Sequence, residues 1–380
     1  MTKIIIPCET SLGERRVSAT PETVKKLNSL GCEVYIEKSA GELSGFNDFS
    51  FIEGGGKLFE KGDQIIWKEA DIVFCVQCPE DKSLNNLKSG AFLVGLLNPY
   101  GNSDLFKYLK ESKISAISLE LLPRISRAQS SDALSSQANI AGYKSVLLAA
   151  NELDRYFPML MTAAGTVQPA KVVVLGGGVA GLQAVATAKR LGALVFVSDI
   201  RPAVKEQVES LGAKFIELPE IEEKPSEAGG YAKEVSNKFL EEQRNILSKH
   251  LSEADVAICT AQVLGKKAPV LINEKMLDKM RPGSVVIDLA VAQGGNCQNT
   301  KPNETILRKG VKLIGASELP SSVPFHASSL YAKNLFSLIK PFIKDGVFQI
   351  KKDDEIILGC LLSDNGAILQ EKVFAKGGAN

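Results

Sequence analysis

The sequence predicts an α/β protein with two doubly wound, parallel-sheet, Rossmann-like domains and a cleft between them. Three observations lead to this prediction. The chain has 380 residues, which is too long for one ordinary hydrophobic core. Short β-branched apolar runs alternate with amphipathic stretches, as in a parallel sheet covered by helices. One of these runs, residues 172–175, ends in a glycine-rich turn that opens a helix.

The first predicted domain begins at Met1. Its candidate strands are the apolar runs at residues 4–6, 34–36, 72–76, 92–96 and 114–117. Thr20 is a typical N-cap residue, and Pro21 suits the first turn of the helix that follows. Residues 122–139 are rich in serine and glutamine, and they interrupt the alternation. A helix is then predicted at about residues 140–157.

The glycine turn has the full context of a dinucleotide-binding motif: strand, turn, helix, strand and acid. Gly176 permits the tight turn, Gly178 lets the backbone approach a pyrophosphate, and Gly181 lets the helix pack on the strand. The N–H groups of the helix start favour phosphate binding, so Val179 and Ala180 are predicted to lie beside the pyrophosphate. A buried turn without a ligand is the alternative interpretation.

The second strand of the motif ends in Asp199, which is predicted to accept hydrogen bonds from the adenosine ribose. A carboxylate at this position repels the extra phosphate of NADP, so the motif favours NAD(H). Ile200 and Arg201 are predicted neighbours of the nucleotide. Arginine near this position can accept a 2′-phosphate, but we expect Asp199 to prevail. Gln262, just beyond a further strand, is a predicted cofactor contact.

Together with the two strands of the glycine motif, further predicted strands at residues 214–217, 256–260, 285–289 and 311–315 make a set of six. After Pro320 an amphipathic helix is predicted, with its apolar side formed by Tyr331, Leu335, Leu338, Ile339 and Phe342. We expect this segment to return to the first domain. The predicted domains are therefore residues 1–138 plus 320–380, and residues 139–319.

Composition excludes several classes of function. A net charge of +1 gives no reason to expect nucleic acid as a partner. No apolar run approaches the roughly 18 residues that span a bilayer, and the N-terminus does not resemble a signal peptide, so a cytoplasmic protein is predicted. Cys75 and Cys78 form a C-x-x-C motif without a second pair, which favours buried thiols over a metal site. The two histidines, His250 and His326, are predicted to be structural or solvated, and no metal is expected.

Residues 222–237 are charged and contain glycines beside Tyr231. Composition favours a surface loop over a mobile lid that closes on cofactor.

The chain resembles the soluble NAD(H)-binding component, domain I, of proton-translocating nicotinamide nucleotide transhydrogenase, and more distantly alanine dehydrogenase. The segments that carry the resemblance are RISRAQSSDALSSQANIAGY (124–143), MTAAGT (161–166), GGGVAGLQAVATAKRLGA (176–193), KEQVESLGAKF (205–215), EAGGYAKE (227–234) and MRPGSVVIDLAVAQGGN (280–296). The family implies hydride exchange between NAD(H), held here as substrate, and NADP(H), held by domain III. Proton movement through a membrane domain II accompanies this exchange.

The resemblance also implies partners and a location. It implies that domains II and III lie on separate chains and that the protein forms a homodimer. It also implies peripheral attachment to the inner (cytoplasmic) membrane through these partners.

Site residues follow from the same resemblance. Arg124, Gln129, Asp132 and Ser135 fix the dihydronicotinamide, with Gln129 nearest the ring or its ribose and Asp132 as an orienting partner. Gly229, Gly230 and Tyr231 match a loop that closes on NAD(H), which reverses the preference for a plain surface loop. Gln243 is added on the resemblance alone.

The departures from alanine dehydrogenase favour the transhydrogenase interpretation. That family places an arginine, a lysine, a histidine and an aspartate around its substrate. Arg16 is retained here, but Gln77, Asn98 and Ala292 stand at the other three positions. Two alternatives stay open: a stand-alone NAD-dependent amino-acid dehydrogenase of the alanine dehydrogenase type, and a non-catalytic NAD-sensing subunit.

Overall fold

The computed structural model describes residues 1–79, 84–218, 237–371 and 373. The chain divides into two compact units, Met1–Gln137 with Pro320–Asn380, and Ala138–Leu319. In chain order the α-helices are α1 (Pro21–Ser29), α2 (Asp48–Glu53), α3 (Gln64–Glu69), α4 (Ser103–Ser112), α5 (Ala133–Glu152), α6 (Val179–Arg190), α7 (Val204–Ser210), α8 (Asn237–Ser252), α9 (Glu274–Leu277), α10 (Pro324–Ile339) and α11 (Glu355–Cys360).

The strands of the first unit up to its polar loop are β1 (Lys3–Ile6), β2 (Glu33–Glu37), β3 (Lys57–Phe59), β4 (Ile72–Gln77), β5 (Phe92–Leu96) and β6 (Ser115–Ser118). Those of the second unit are β7 (Leu160–Thr162), β8 (Gly165–Val167), β9 (Lys171–Leu175), β10 (Leu194–Ser198), β11 (Lys214–Phe215), β12 (Val256–Cys259), β13 (Val285–Asp288), β14 (Thr305–Arg308) and β15 (Val311–Gly315). The first unit ends with β16 (Ile343–Lys344), β17 (Val347–Phe348), β18 (Leu361–Asp364) and β19 (Ala367–Ile368).

The first unit contains a sheet in the order β19-β18-β6-β5-β4-β1-β2-β3. The strands from β6 to β3 are parallel, and β18 and β19 are added antiparallel. Successive side chains enter opposite cores: Ile4 and Ile6 pack in one cluster, whereas Ile5 packs in the other. Both faces are therefore covered, as expected of a parallel sheet.

The second unit contains a sheet in the order β11-β10-β9-β12-β13-β15-β14. Six strands are parallel, and β14 lies antiparallel to β15 at the edge. Val172 and Val174 pack on one face, and Val173 and Leu175 pack on the other. The six parallel strands have the doubly wound order of dinucleotide-binding domains.

The predicted fold class is confirmed by these two sheets, but the predicted bounds of one helix are wrong and several short strands were not predicted. The long helix α5 begins at Ala133, seven residues before the predicted residue 140, and ends at Glu152, five residues before the predicted residue 157. Asp132 explains the earlier start, because its carboxylate accepts from the Ser135 N–H at 2.9 Å and so caps the first turn. The edge strand β14 was not predicted, since its exposed Leu307 hides any apolar periodicity.

The segment after Pro320 belongs to the first unit. Helix α10 buries Tyr331, Leu335, Leu338 and Ile339 in the core cluster that also holds β1 and β4. The Tyr331 hydroxyl donates to the carbonyl of Cys75 at 2.7 Å, which satisfies the one polar atom of that large buried side chain. Among the helices in the described ranges, none is long and apolar enough to cross a membrane.

Candidate functional site

The glycine turn lies where the strand order of the second sheet reverses, between β9 and β12. Gly176 follows β9 with φ +104°, a conformation that favours glycine. A Cβ atom there would lie 2.7 Å from Thr260 Oγ1, which follows β12. Thr260 in turn donates a hydrogen bond to the Gly176 carbonyl at 2.8 Å. The turn is therefore fixed across the reversal point, where ligands of such sheets bind.

The other two glycines of the motif have different surroundings. A Cβ on Gly181 would lie only 1.9 Å from the Gly176 carbonyl oxygen, so this glycine is required for helix–strand packing. A Cβ on Gly178 would meet no atom within 4 Å. Gly178 is also the N-cap residue of α6 and offers its first turn no side-chain cap. Open space beside an uncapped helix N-terminus is suited to a phosphate.

Asp199 follows β10 and is held by several donors. Its Oδ2 accepts from the Gly177 N–H at 2.7 Å and from Arg201 Nη2 at 2.9 Å. Its Oδ1 accepts from the Arg201 backbone N–H at 2.8 Å and from Arg201 Nε at 3.0 Å. Burial alone would raise the pKa of Asp199, but the hydrogen bonds and charge of Arg201 outweigh burial and lower it. The carboxylate is therefore ionised at neutral pH.

The other residues predicted to contact the nucleotide differ in exposure and in their hydrogen bonds. Val179 is exposed at the start of α6, and Ala180 and Ile200 are half-buried. Gln262 is exposed beyond β12, and its amide donates to the Leu289 carbonyl at 2.8 Å. Gln243 is buried on α8, and none of the described hydrogen bonds links it to the glycine turn. Gly229, Gly230 and Tyr231 lie outside the described residues.

Two buried polar residues that support this site were not predicted. The side chain of Asn296 accepts from the Ala261 N–H at 3.0 Å and donates to the Ala261 carbonyl at 2.8 Å. Asp288 accepts from the Cys297 N–H at 3.0 Å and from Thr300 Oγ1 at 2.8 Å. These bonds position the loops after β12 and β13. The carboxylate of Asp288 inside the apolar run at residues 285–292 was the available signal, whereas Asn296 stands among polar residues and glycines.

The residues present fit a dinucleotide. The open position at Gly178 and the uncapped α6 N-terminus are suited to a pyrophosphate, and Asp199 follows the neighbouring strand β10, where the ribose binds in such folds. The donor set contains no cluster suited to a metal: among the described residues, no three His, Cys, Asp or Glu side chains gather to hold an ion. Cys75 is buried with a free thiol, and burial raises its pKa well above the ordinary value.

The predicted nicotinamide-binding residues lie in the first unit. Arg124 and Gln129 are exposed, the latter on the 3₁₀ turn Ser126–Ser131. Asp132 and Ser135 contact each other: besides the N–H bond, Ser135 Oγ donates to Asp132 Oδ2 at 2.6 Å. The structure therefore couples Asp132 to Ser135 and leaves the side chains of Arg124 and Gln129 at the surface.

The turn that carries Gln129 is held from two sides. Asn334 of α10 is buried; it donates to the Ser130 carbonyl at 2.8 Å and accepts from Ser136 Oγ at 2.7 Å. Arg127 forms a two-bonded ion pair with Asp354, both distances being 2.8 Å. Asn334 therefore ties the turn to the first turn of α5.

In the first unit, polar and charged side chains near the end of β4 bond to one another. Arg16 is buried and donates to both carboxylate oxygens of Glu14, at 2.7 and 2.5 Å, and to Gln137 Oε1 at 2.9 Å. Burial alone would raise the pKa of Glu14, but the bonds from Arg16 lower it. Gln77 Nε2 lies 3.4 Å from Glu14 Oε2. The arginine retained from the dehydrogenase pattern is thus engaged by groups of this chain.

The comparisons with known proteins cover nearly the whole chain. The family models described as alanine dehydrogenase/PNT, N-terminal and C-terminal domain, match residues 5–141 and 145–371. The chain is 46% identical over 383 residues to the first part of the NAD(P) transhydrogenase alpha subunit of Rhodospirillum rubrum, covering 99% of this chain and 100% of that relative. It is 27% identical to alanine dehydrogenase of Methanococcus maripaludis, covering 97% and 94%.

Two solved structures resemble the fold over a similar length. A transhydrogenase from Sinorhizobium meliloti has a TM-score of 0.87 at 39% identity, covering 96% of this chain and 99% of that chain. An L-alanine dehydrogenase has a TM-score of 0.81 at 25% identity, covering 99% and 100%.

Proposed function

The chain belongs to the alanine dehydrogenase/PNT family, and from this premise we propose that it is the NAD(H)-binding component of a proton-translocating transhydrogenase. It exchanges hydride between NAD(H), bound in the second unit, and NADP(H), bound by a partner domain III. A membrane domain II on another chain couples the exchange to proton translocation. The high identity to relatives named transhydrogenase subunit alpha supports this proposal over an alanine dehydrogenase.

The observation that carries the proposal is the set of neutral residues at three dehydrogenase positions. Oxidation of an amino acid requires groups that accept protons and stabilise an imine. Gln77, Asn98 and Ala292 can do neither, and Arg16 is bound to Glu14 and Gln137. Hydride exchange between two nicotinamides moves no proton to or from a heteroatom, so it requires none of these groups.

When bound, the dihydronicotinamide ring supplies the hydride. This chain must then bind the nucleotide, orient its ring and exclude water. The turn at Gly176–Gly181 and the α6 N-terminus bind the pyrophosphate. Arg124, Gln129, Asp132 and Ser135 orient the ring. Asp132 acts through Ser135, because each of its oxygens accepts a hydrogen bond from that residue, one from the N–H and one from the hydroxyl.

We also propose a homodimer that attaches peripherally to the cytoplasmic membrane through its partner chains. The hairpin formed by β7 and β8 supports a second copy as partner. All three residues of β8 are exposed, and Met161 of β7 is 78% exposed. A lone two-stranded hairpin is marginally stable in water, so a covering surface would stabilise it. Sedimentation of the wild type and of Met161→Glu tests this: the substitution should shift the dimer toward monomer.

One rapid-mixing experiment tests the central proposal. This protein is mixed with a domain III protein carrying NADPH and with an oxidised NAD analogue whose reduction is followed by absorbance. Rapid, stereospecific hydride transfer is the expected result. Absence of transfer despite measured NAD binding would contradict the proposal and favour an NAD-sensing subunit. Ammonia-dependent oxidation of NADH with pyruvate, by the isolated chain, would instead indicate an amino-acid dehydrogenase.

A further inference from the structure

We propose that Asp354 is a positioning residue for hydride transfer, which acts through Arg127 on the turn that carries Gln129. The segment that runs from Asp354 into α11 then supports the proposed nicotinamide-binding group without contacting the nucleotide itself. This inference rests on the proposed function, because the contact between Gln129 and the dihydronicotinamide is part of that proposal.

The pair formed by Arg127 and Asp354 has two hydrogen bonds. Arg127 lies on the 3₁₀ turn Ser126–Ser131, two residues before Gln129. Its Nη1 donates to Asp354 Oδ2 and its Nη2 donates to Asp354 Oδ1, both at 2.8 Å. Because guanidinium and carboxylate are both planar, a two-bonded pair fixes their relative orientation as well as their separation. The turn is thereby joined to a segment 227 residues later in the chain.

Asp354 is itself anchored in the fold. It is the N-cap residue of α11, and its Oδ1 also accepts from the Ile356 N–H at 2.9 Å. Its side chain is 15% exposed, whereas that of Arg127 is 53% exposed. The hydrogen bonds from Arg127 lower the pKa of Asp354, so the carboxylate is charged at neutral pH. A fixed carboxylate therefore orders a long arginine side chain that would otherwise sample many rotamers in water.

Helix α11 also packs beside the segment that enters the turn. A Cβ on Gly359 would lie 2.8 Å from Pro123 Cδ, so the helix backbone approaches Pro123 closely. Ile356 is buried in the core cluster that also contains Ala128 of the turn. A 3₁₀ turn has poorer hydrogen-bond geometry than an α-helix, so outside contacts contribute more to its shape. The cap residue and the body of α11 both supply such contacts.

An ion pair that only adds stability is the alternative interpretation, since exposed pairs contribute little. Removing such a pair would lower the melting temperature slightly and leave the transfer rate of the folded protein unchanged. A positioning role predicts the opposite pattern. The transfer rate falls, while the NADH dissociation constant and the melting temperature stay nearly constant, because a misoriented ring impairs transfer far more than binding.

The test measures single-turnover hydride transfer by stopped flow. It uses the full chain, the domain III protein carrying NADPH, and the oxidised NAD analogue. The variants are Arg127→Gln, Asp354→Asn and the double substitution. Asparagine keeps an oxygen that can accept from the Ile356 N–H, so α11 stays capped. Fluorescence titration gives the NADH dissociation constant of each variant, and thermal melting verifies folding.

Each single substitution should slow transfer about 5-fold, while the NADH dissociation constant changes by less than about twofold. The double variant should be no slower than the single variants, because the same pair is lost in all three. Arg127→Lys should recover only part of the rate, since an ammonium group cannot form the planar two-bonded fork.

Lys352→Gln is a matched control from the same segment. Lys352 forms an ion pair with Asp364, and its substitution should leave transfer unchanged. Transfer that is unaffected in both single variants, or is slowed equally by Lys352→Gln, would overturn the inference. Losses that add in the double variant, or that follow the melting temperature, would overturn it too. A wild type that binds NADH without transferring hydride would contradict the proposed function, and the inference would fail with it.

Discussion

The two sheets of this protein share a strand order but differ in what stands at their strand ends. In both, the order of the six parallel strands reverses between the first and the fourth, β1 and β4 in one unit and β9 and β12 in the other. At the first reversal, Glu9 accepts from the N–H groups of Val76 and Gln77 at 2.6 and 2.9 Å. At the second, glycines leave the α6 N-terminus without a side-chain cap.

The topology of each sheet therefore provides a crevice, and the connecting residues decide whether a ligand can use it. The Glu9 carboxyl at the first reversal accepts from the backbone donors that a phosphate would need. The glycines at the second reversal leave backbone N–H donors and open space available to a ligand.

Gly178→Val should abolish nucleotide binding without unfolding the chain. The position has φ −75°, which valine adopts readily, and a Cβ there meets no protein atom. The added side chain would occupy the space beside the α6 N-terminus. Loss of two charge-assisted hydrogen bonds corresponds to a rise in the NADH dissociation constant of about 100-fold or more. Fluorescence titration measures the affinity, and thermal melting should be unchanged.

Gly181→Ala is the informative counterpart. Its Cβ would lie 1.9 Å from the Gly176 carbonyl oxygen, so this substitution should lower the melting temperature as well as the affinity. If Gly178→Val were equally destabilising, or if it still bound NADH, the open position would not be the phosphate site.

Gln129→Asn should slow hydride transfer about 10- to 100-fold while changing the NADH dissociation constant far less. The shorter amide misplaces the ring by about one bond length, and errors of that size are costly in transfer reactions. Stopped-flow transfer and NADH titration give the two numbers. Equal losses in both would mean that Gln129 only binds.

Asn334→Ala should act on the same step from a distance, with a loss of about 10-fold in transfer rate. It removes the bonds to the Ser130 carbonyl and Ser136 Oγ that hold the Gln129 turn. Asn28→Ala is a matched control, because Asn28 also donates to two carbonyls of the first unit, those of Gly54 and Gly55. Equal effects of the two variants on transfer would refute a positioning role for Asn334.

How much of this could be predicted from the sequence depends on the range of the interaction. Apolar alternation and the glycine spacing report on neighbours in the chain, and they predicted the fold class and most strands. The start of α5 was misplaced because capping by Asp132 involves side-chain geometry in a polar stretch that has no periodicity. The bonds of Asn334 join elements that are distant in sequence, and the Asp199–Arg201 pair, although only two residues apart, depends on side-chain rotamers; apolar periodicity encodes neither.

The prediction for Glu9 concerns the stability of the fold and leaves nucleotide binding unchanged. Burial raises the pKa of Glu9 to about 8, and the charge of Glu14 adds to this, against the two backbone N–H bonds and Arg16. A raised pKa means that the folded state holds the proton longer than the unfolded state does. The stability contributed by the protonated form is complete below the unfolded pKa of about 4.5 and is lost as the pH rises through 8.

Glu9→Gln mimics the protonated group at every pH, so it should flatten this dependence. Urea unfolding at intervals from pH 5 to pH 9 measures the difference, which can reach a slope of about 1.4 kcal/mol per pH unit for one proton. NADH affinity at each pH should match that of the wild type, because Asp199 keeps its charge over this range. An unchanged stability slope would mean that Glu9 is ionised in the fold. The crevice at the first reversal would then carry a negative charge and lack open space, so it would differ from the nucleotide site in both respects.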